Sequence, residues 1–176
     1  MEDLYPVLKM AYRDVKVISR KAGIYLCSDN LGEKPVLYIN NEVSSKGIDF
    51  VSMSLGKSWA AMLYMGGNVE IIDKQDGKVL QSFDEIKYLS KQNIYKDRYS
   101  VLTLRPKNTE FEKIAIIDNR KARIIVIYDN IANRVVNNRG KYELVLYTKD
   151  NGAVTTIGLD RNMKGVILNH ETKCTA

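Results

Sequence analysis

The chain has 176 residues, 45% hydrophobic and 27% charged, which predicts one domain over 1–176 with its own core and excludes a disordered or fibrous chain. Lysine and arginine number 27 against 21 acidic residues, a net charge of +6 that favours an anionic partner and says nothing of fold. The longest apolar runs, such as 114–117 and 124–128, fall far short of the ~20 residues a membrane helix needs.

The opening Met1-Glu2-Asp3-Leu4-Tyr5-Pro6 carries neither the basic flank nor the apolar stretch of a secretory leader. From Leu4 to Ile18 two readings stay open, because Pro6 can start a helix or precede a strand. Strand patterns follow at 36–39, ending in Asn40-Asn41, and at 48–54, where apolar and polar residues alternate. Residues 57–65 place Trp59, Met62 and Leu63 on one helical face, with Ser58 as cap and Gly66-Gly67 as stop, so a helix is predicted there. Strands at 69–73 and 78–80 meet across Asp76-Gly77, a hairpin signal. Ile86 and Leu89, with Tyr88, suggest a second helix over 84–95. Strands are then expected at 99–105, stopped by Pro106, and at 114–117, 124–128, 142–148 and 154–159. Turns at Asn119-Arg120, Asn138-Arg139-Gly140 and Asn151-Gly152 separate them. The second half therefore reads as an antiparallel meander. The expected class is α+β with β dominant: antiparallel sheets packed as a split sandwich with two or three short helices.

The side chains available limit the chemistry. Cys27 and Cys174 belong to no CxxC or Cys/His cluster, so no metal site is expected; a disulfide between them stays open, with reduced thiols of a cytoplasmic protein the simpler reading. The lone histidine, His170, argues against histidine triads. Gly56-Lys57-Ser58 looks like the end of a phosphate-binding loop, but Val51 stands where the first glycine is required.

A more informative set is spread along the chain. Arg13 follows Ala11-Tyr12, Ser52-Met53-Ser54 runs into the expected helix with Ala60 and Ala61, and Glu110-Phe111-Glu112 opens a later strand. Alternation puts Ser52 with Ser54, and Glu110 with Glu112, on shared faces. This order, spanning Arg13 to about Tyr128, resembles the arginine–serine–glutamate class of ADP-ribosyltransferases. The resemblance implies a domain that binds NAD and modifies a macromolecule. Glu112 would stabilise the oxocarbenium-like sugar and Glu110 would orient the acceptor. Arg13, with Arg20 as its rival, would pair with the dinucleotide phosphates. Ser52 or Ser54 would hold Glu112 or the nicotinamide amide. The chain departs from the pattern at Met53, the middle of what is usually S-T-S, and in lacking a glycine after Arg13.

The alternative is a non-catalytic basic β-rich module that binds nucleic acid or an acidic protein, as an inhibitor or adaptor would. Seven bases oppose three acids between Lys113 and Leu146, and the chain has 11 tyrosines. Tyr95, Tyr99, Tyr128, Tyr142 and Tyr147 with Arg98, Arg105, Arg123 and Arg139 are the candidate stacking and phosphate-contacting residues.

Overall fold

A computed structural model describes residues 2–29, 34–44, 49–94, 97–137, 143–148, 153–158 and 166–172, with side chains through residue 134. The chain divides into two compact units, Met1–Glu85 and Ile86–Ala176.

The first unit opens with helix α1 (Tyr5–Ala11), with Pro6 in its first turn and Tyr12 closing it by an N–H bond of 2.8 Å to the Leu8 carbonyl. Proline costs nothing there because the first amides of a helix have no internal partner. The chain then turns straight into a strand, so each option read for 4–18 is realised in succession.

Strands β1 (Asp14–Ser19), β2 (Ile24–Ser28), β3 (Val36–Ile39) and β4 (Glu42–Val43) form one antiparallel sheet in chain order. Asn40 and Asn41, at φ 54° and 63°, make the β3–β4 turn, as expected of paired left-handed residues in a tight hairpin. Strands β5 (Phe50–Leu55), β6 (Trp59–Tyr64), β7 (Val69–Asp73) and β8 (Val79–Phe83) repeat the arrangement in a second sheet. Ile18, Ile24 and Leu37 from the first sheet share an apolar cluster with Ala60, Met62, Tyr64 and Ile72 from the second. The Ser19 hydroxyl bonds the Lys74 carbonyl, and Lys74 Nζ bonds the Gly56 carbonyl at 2.7 Å. The apolar cluster and the Ser19–Lys74 bond thus join the two sheets, while the Lys74–Gly56 bond lies within the second. Helix α1 lies against the first sheet through Leu8, which clusters with Tyr25 and Cys27.

The second unit is one seven-stranded antiparallel meander. It runs in sequence through β9 (Ile86–Ile94), β10 (Tyr99–Pro106), β11 (Glu112–Asp118), β12 (Arg123–Asn137), β13 (Glu143–Thr148), β14 (Ala153–Gly158) and β15 (Val166–Thr172). Ile94, Tyr99, Val101, Ile114, Ile116 and Ile131 form an apolar cluster within it. The predicted turns at 138–140 and 151–152 lie outside the described residues.

Two predicted helices are strands, which overturns the α+β split sandwich. Residues 57–65 hold β6, a central strand whose six residues are all buried. A strand covered on both faces is apolar throughout, so it satisfies a helical spacing as readily as alternation. Residues 84–95 hold β9. Its register against β10 slips between Arg105 and Pro106, and this bulge puts Ile86 and Leu89, three apart, on one side of the strand. Among the described residues the architecture is sheets of sequential antiparallel strands with one short helix.

Candidate functional site

The second unit gathers charge around one carboxylate. Alternation along β10 puts Val101, Thr103 and Arg105 on one face, and Gln92 of β9 lies directly opposite Val101. Glu112 enters β11 on that side and is paired with Ile131 of β12. Arg105 lies 3.6 Å from one Glu112 oxygen and Arg134 lies 3.9 Å from the other. Gln92, Arg105, Glu112, Ala132, Asn133 and Arg134 line a recess of about 360 Å³. The Glu112 side chain is 19% exposed, against 52% for Arg105 and 25% for Arg134. The acid is therefore the inner member of the group and the guanidiniums the outer ones.

Glu110 lies in the loop before β11 and is exposed. It lines a neighbouring recess of about 420 Å³ with Lys87, Arg105, Pro106, Lys107 and Thr109. The two glutamates therefore do not share a strand face as the alternation predicted. They open into separate recesses, with Arg105 lining both.

The other candidates belong to the first unit. Arg13 is exposed in the short connection between α1 and β1. Arg20 pairs with Asp3 at 3.5 Å and lies 4.4 Å over the Tyr5 ring. Asp3 also accepts from the Tyr25 hydroxyl at 3.0 Å and the Tyr5 amide at 3.1 Å, and these bonds hold its carboxyl below the ordinary 3.8. Arg20 thus anchors the N-terminal segment. On β5 Ser52 is exposed and Ser54 half-buried, opposite Leu63 and Ala61 of β6, while Met53 packs against the apolar cluster. The serine strand therefore leads into a buried strand, not a helix of small residues. Gly56-Lys57-Ser58 is the hairpin turn between β5 and β6, closed by the Gly56 amide on the Trp59 carbonyl at 2.9 Å. A Cβ at Gly56 would overlap the Trp59 indole. Glycine is needed there for packing.

Of the tyrosines and arginines proposed as a stacking face, Tyr95, Tyr142 and Arg139 lie outside the described residues, and Tyr147 is described by backbone alone. Tyr99 is fully buried and offers no stacking surface, and Tyr128 is half-buried with its ring packed on the core cluster. Arg98 faces inward to Asp118 at 3.8 Å. Arg105 and Arg123 are exposed.

Two buried polar groups were not anticipated. Asp118, only 1% exposed, pairs with Arg98 and accepts the Arg120 amide at 2.9 Å. Beside it the Ser100 hydroxyl lies 2.8 Å from Asn119 Oδ1 and 2.9 Å from Asn93 Oδ1. The sequence signal was the Asp118-Asn119 step between two apolar strands, where Asx residues favour turns. Cys27 is buried among apolar side chains, and desolvation pushes its thiol from 9.0 to about 11. Burial likewise moves the Tyr38 phenol from 10.0 to about 12, assisted by its 3.0 Å hydrogen bond with Tyr12. Among the described residues no cluster of His, Cys, Asp or Glu could hold a metal ion, and no helix is long and apolar enough to cross a membrane.

No protein-family model and no curated protein matches the chain. Solved structures give similarities of low score. BamB from Moraxella catarrhalis aligns at TM-score 0.36 and 8% identity, over 82% of this chain and 45% of that one. The WD40 domain of SCAP from fission yeast aligns at 0.32 and 8%, over 84% and 42%. The N-terminal domain of Nup159 aligns at 0.35 and 13%, over 93% and 43%. The chain spans less than half the length of each. The ADP-ribosyltransferase reading, with its transferase activity, is corrected. The helix its serine motif requires is strand β6, and Glu112 faces two arginines.

Proposed function

We propose that the chain is a non-catalytic interaction module that binds a protein partner through the basic rim of its second unit. The observation that carries this reading is the setting of Glu112. Each of its oxygens already faces a guanidinium, so the carboxylate serves to fix two arginines and is not aimed at a reacting atom. Successive antiparallel meanders support it too. A four-stranded meander is the unit from which β-propellers are built, and binding residues sit readily on the loops of such a frame. Tyr99 is buried and Tyr128 is half-buried against the core, which leaves Tyr88, 56% exposed, as the ring a single-stranded nucleic acid would need for stacking. The nuclease arm of the test separates the two partners.

The test is co-purification from the source cells with the full chain as bait, with and without nuclease. The expected result is a protein retained by the wild type, insensitive to nuclease and lost from an Arg105→Glu/Arg134→Glu variant. Absence of any protein above the bare-resin control, or retention abolished by nuclease, overturns the reading.

A further inference from the structure

The recess between Arg105 and Arg134 holds an acid of the chain's own, and its geometry points to the chemistry of the partner. We infer that this recess, with the neighbouring one across Arg105, docks an acidic peptide segment of that partner. Its carboxylates then share the two guanidiniums with Glu112. The inference rests on the interaction-module reading and adds the partner's chemistry to it.

The ion pairs to Glu112, at 3.6 and 3.9 Å, are longer than hydrogen bonds. A guanidinium carries five N–H donors in a planar fork suited to carboxylates. The Glu112 contact therefore sets the positions of Arg105 and Arg134 without engaging their forks at hydrogen-bond distance. Arg105, at 52% exposure, presents its fork outward. Gln92 and Asn133 add amides to the first recess, and these can meet a peptide backbone. The second recess adds Lys87 and Lys107 beside Glu110. Four bases then oppose two acids across the pair of recesses, so the surface attracts an anionic chain while Glu112 and Glu110 limit non-specific adhesion. Neither lining contains an aromatic ring. Tyr88, 56% exposed and opposite Arg105, is the one nearby ring a base could stack on among the described residues of β9 and β10, so the oligothymidine arm of the test separates a peptide from a nucleic acid.

The test measures fluorescence anisotropy of a labelled hexaglutamate peptide with the full chain, at low and at physiological salt, using a twelve-nucleotide oligothymidine as comparison and inorganic phosphate as competitor. The peptide should bind, more weakly as salt rises. Arg105→Gln and Arg134→Gln should each weaken it tenfold or more. Arg123→Gln, an exposed arginine at the start of β12 opposite Asp118, should change it less than twofold. Glu112→Gln should tighten it threefold or more, since it removes the competing charge and keeps the shape. Four results would overturn the inference: no peptide binding at low salt, equal losses at Arg123 and Arg105, weakening by Glu112→Gln as large as that by Arg105→Gln, or tighter oligothymidine binding with the same residue dependence. Displacement by micromolar phosphate would also overturn it, reassigning the site to phosphate. A co-purified partner still bound by the Arg105→Gln variant would sink the site and leave the module reading standing. Peptide binding with no protein partner would do the reverse.

Discussion

At Asp118 a carboxylate that is 1% exposed meets Arg98 at 3.8 Å and caps the following turn through the Arg120 amide. A buried charge that loses its partner costs far more than the pair contributes. Asp118→Ala leaves Arg98 facing an empty, desolvated position. It should lower unfolding free energy by about 3–5 kcal/mol, read by urea denaturation, and a change below about 1 kcal/mol would show that water reaches the pair. Cys27 gives a pH prediction. Its folded value of about 11 lies above the ordinary 9.0, so the unfolded thiol ionises first as pH rises. The contribution of Cys27 to stability is whole below pH 9 and is lost as pH climbs through about 11. Tyr38, raised from 10.0 to about 12, acts in the same direction at higher pH. In the folded protein at pH 8 Cys27 should resist a thiol-specific disulfide reagent that labels it promptly once urea unfolds the chain. Equal labelling rates in both states would contradict its burial.

The elements show which signals survive translation from sequence. Gly56→Ala should destabilise by about 1–3 kcal/mol, because the new methyl meets the Trp59 ring inside a hairpin closed by the Gly56 amide. Unaltered thermal unfolding would mean that the turn shifts freely. Strands with polar ends and a defined turn were legible. The 36–39 and 69–73 predictions match β3 and β7 residue for residue, and Gly77 has the positive φ of 75° that its hairpin asked for. The failures were β6 and β9. The first lost its alternation to burial on both faces, and the second disguised its period with a bulge. The helix that the transferase resemblance placed after the serine strand is the buried strand β6. Glu112 opens β11 and Glu110 lies in the loop before it, at the strand entrance the sequence indicated. Their arginine neighbours come from β10 and β12, a pairing register that one sequence does not display.

For the whole molecule, the meander of the second half was legible because turn residues recur between apolar runs. The tandem four-stranded sheets of the first unit were not, because their strands differ in length and β4 has only two residues. Sheets of sequential strands leave function to what their rims carry, and here the rim carries arginine and lysine around a shielded glutamate. The decisive measurement is the dissociation constant between the full chain and its co-purified protein, for the wild type and for Arg105→Glu/Arg134→Glu, with melting temperatures compared alongside. Interaction through this rim predicts at least about a hundredfold weakening, some 2.7 kcal/mol, with melting held within a few degrees. Unchanged affinity in a folded variant would contradict it.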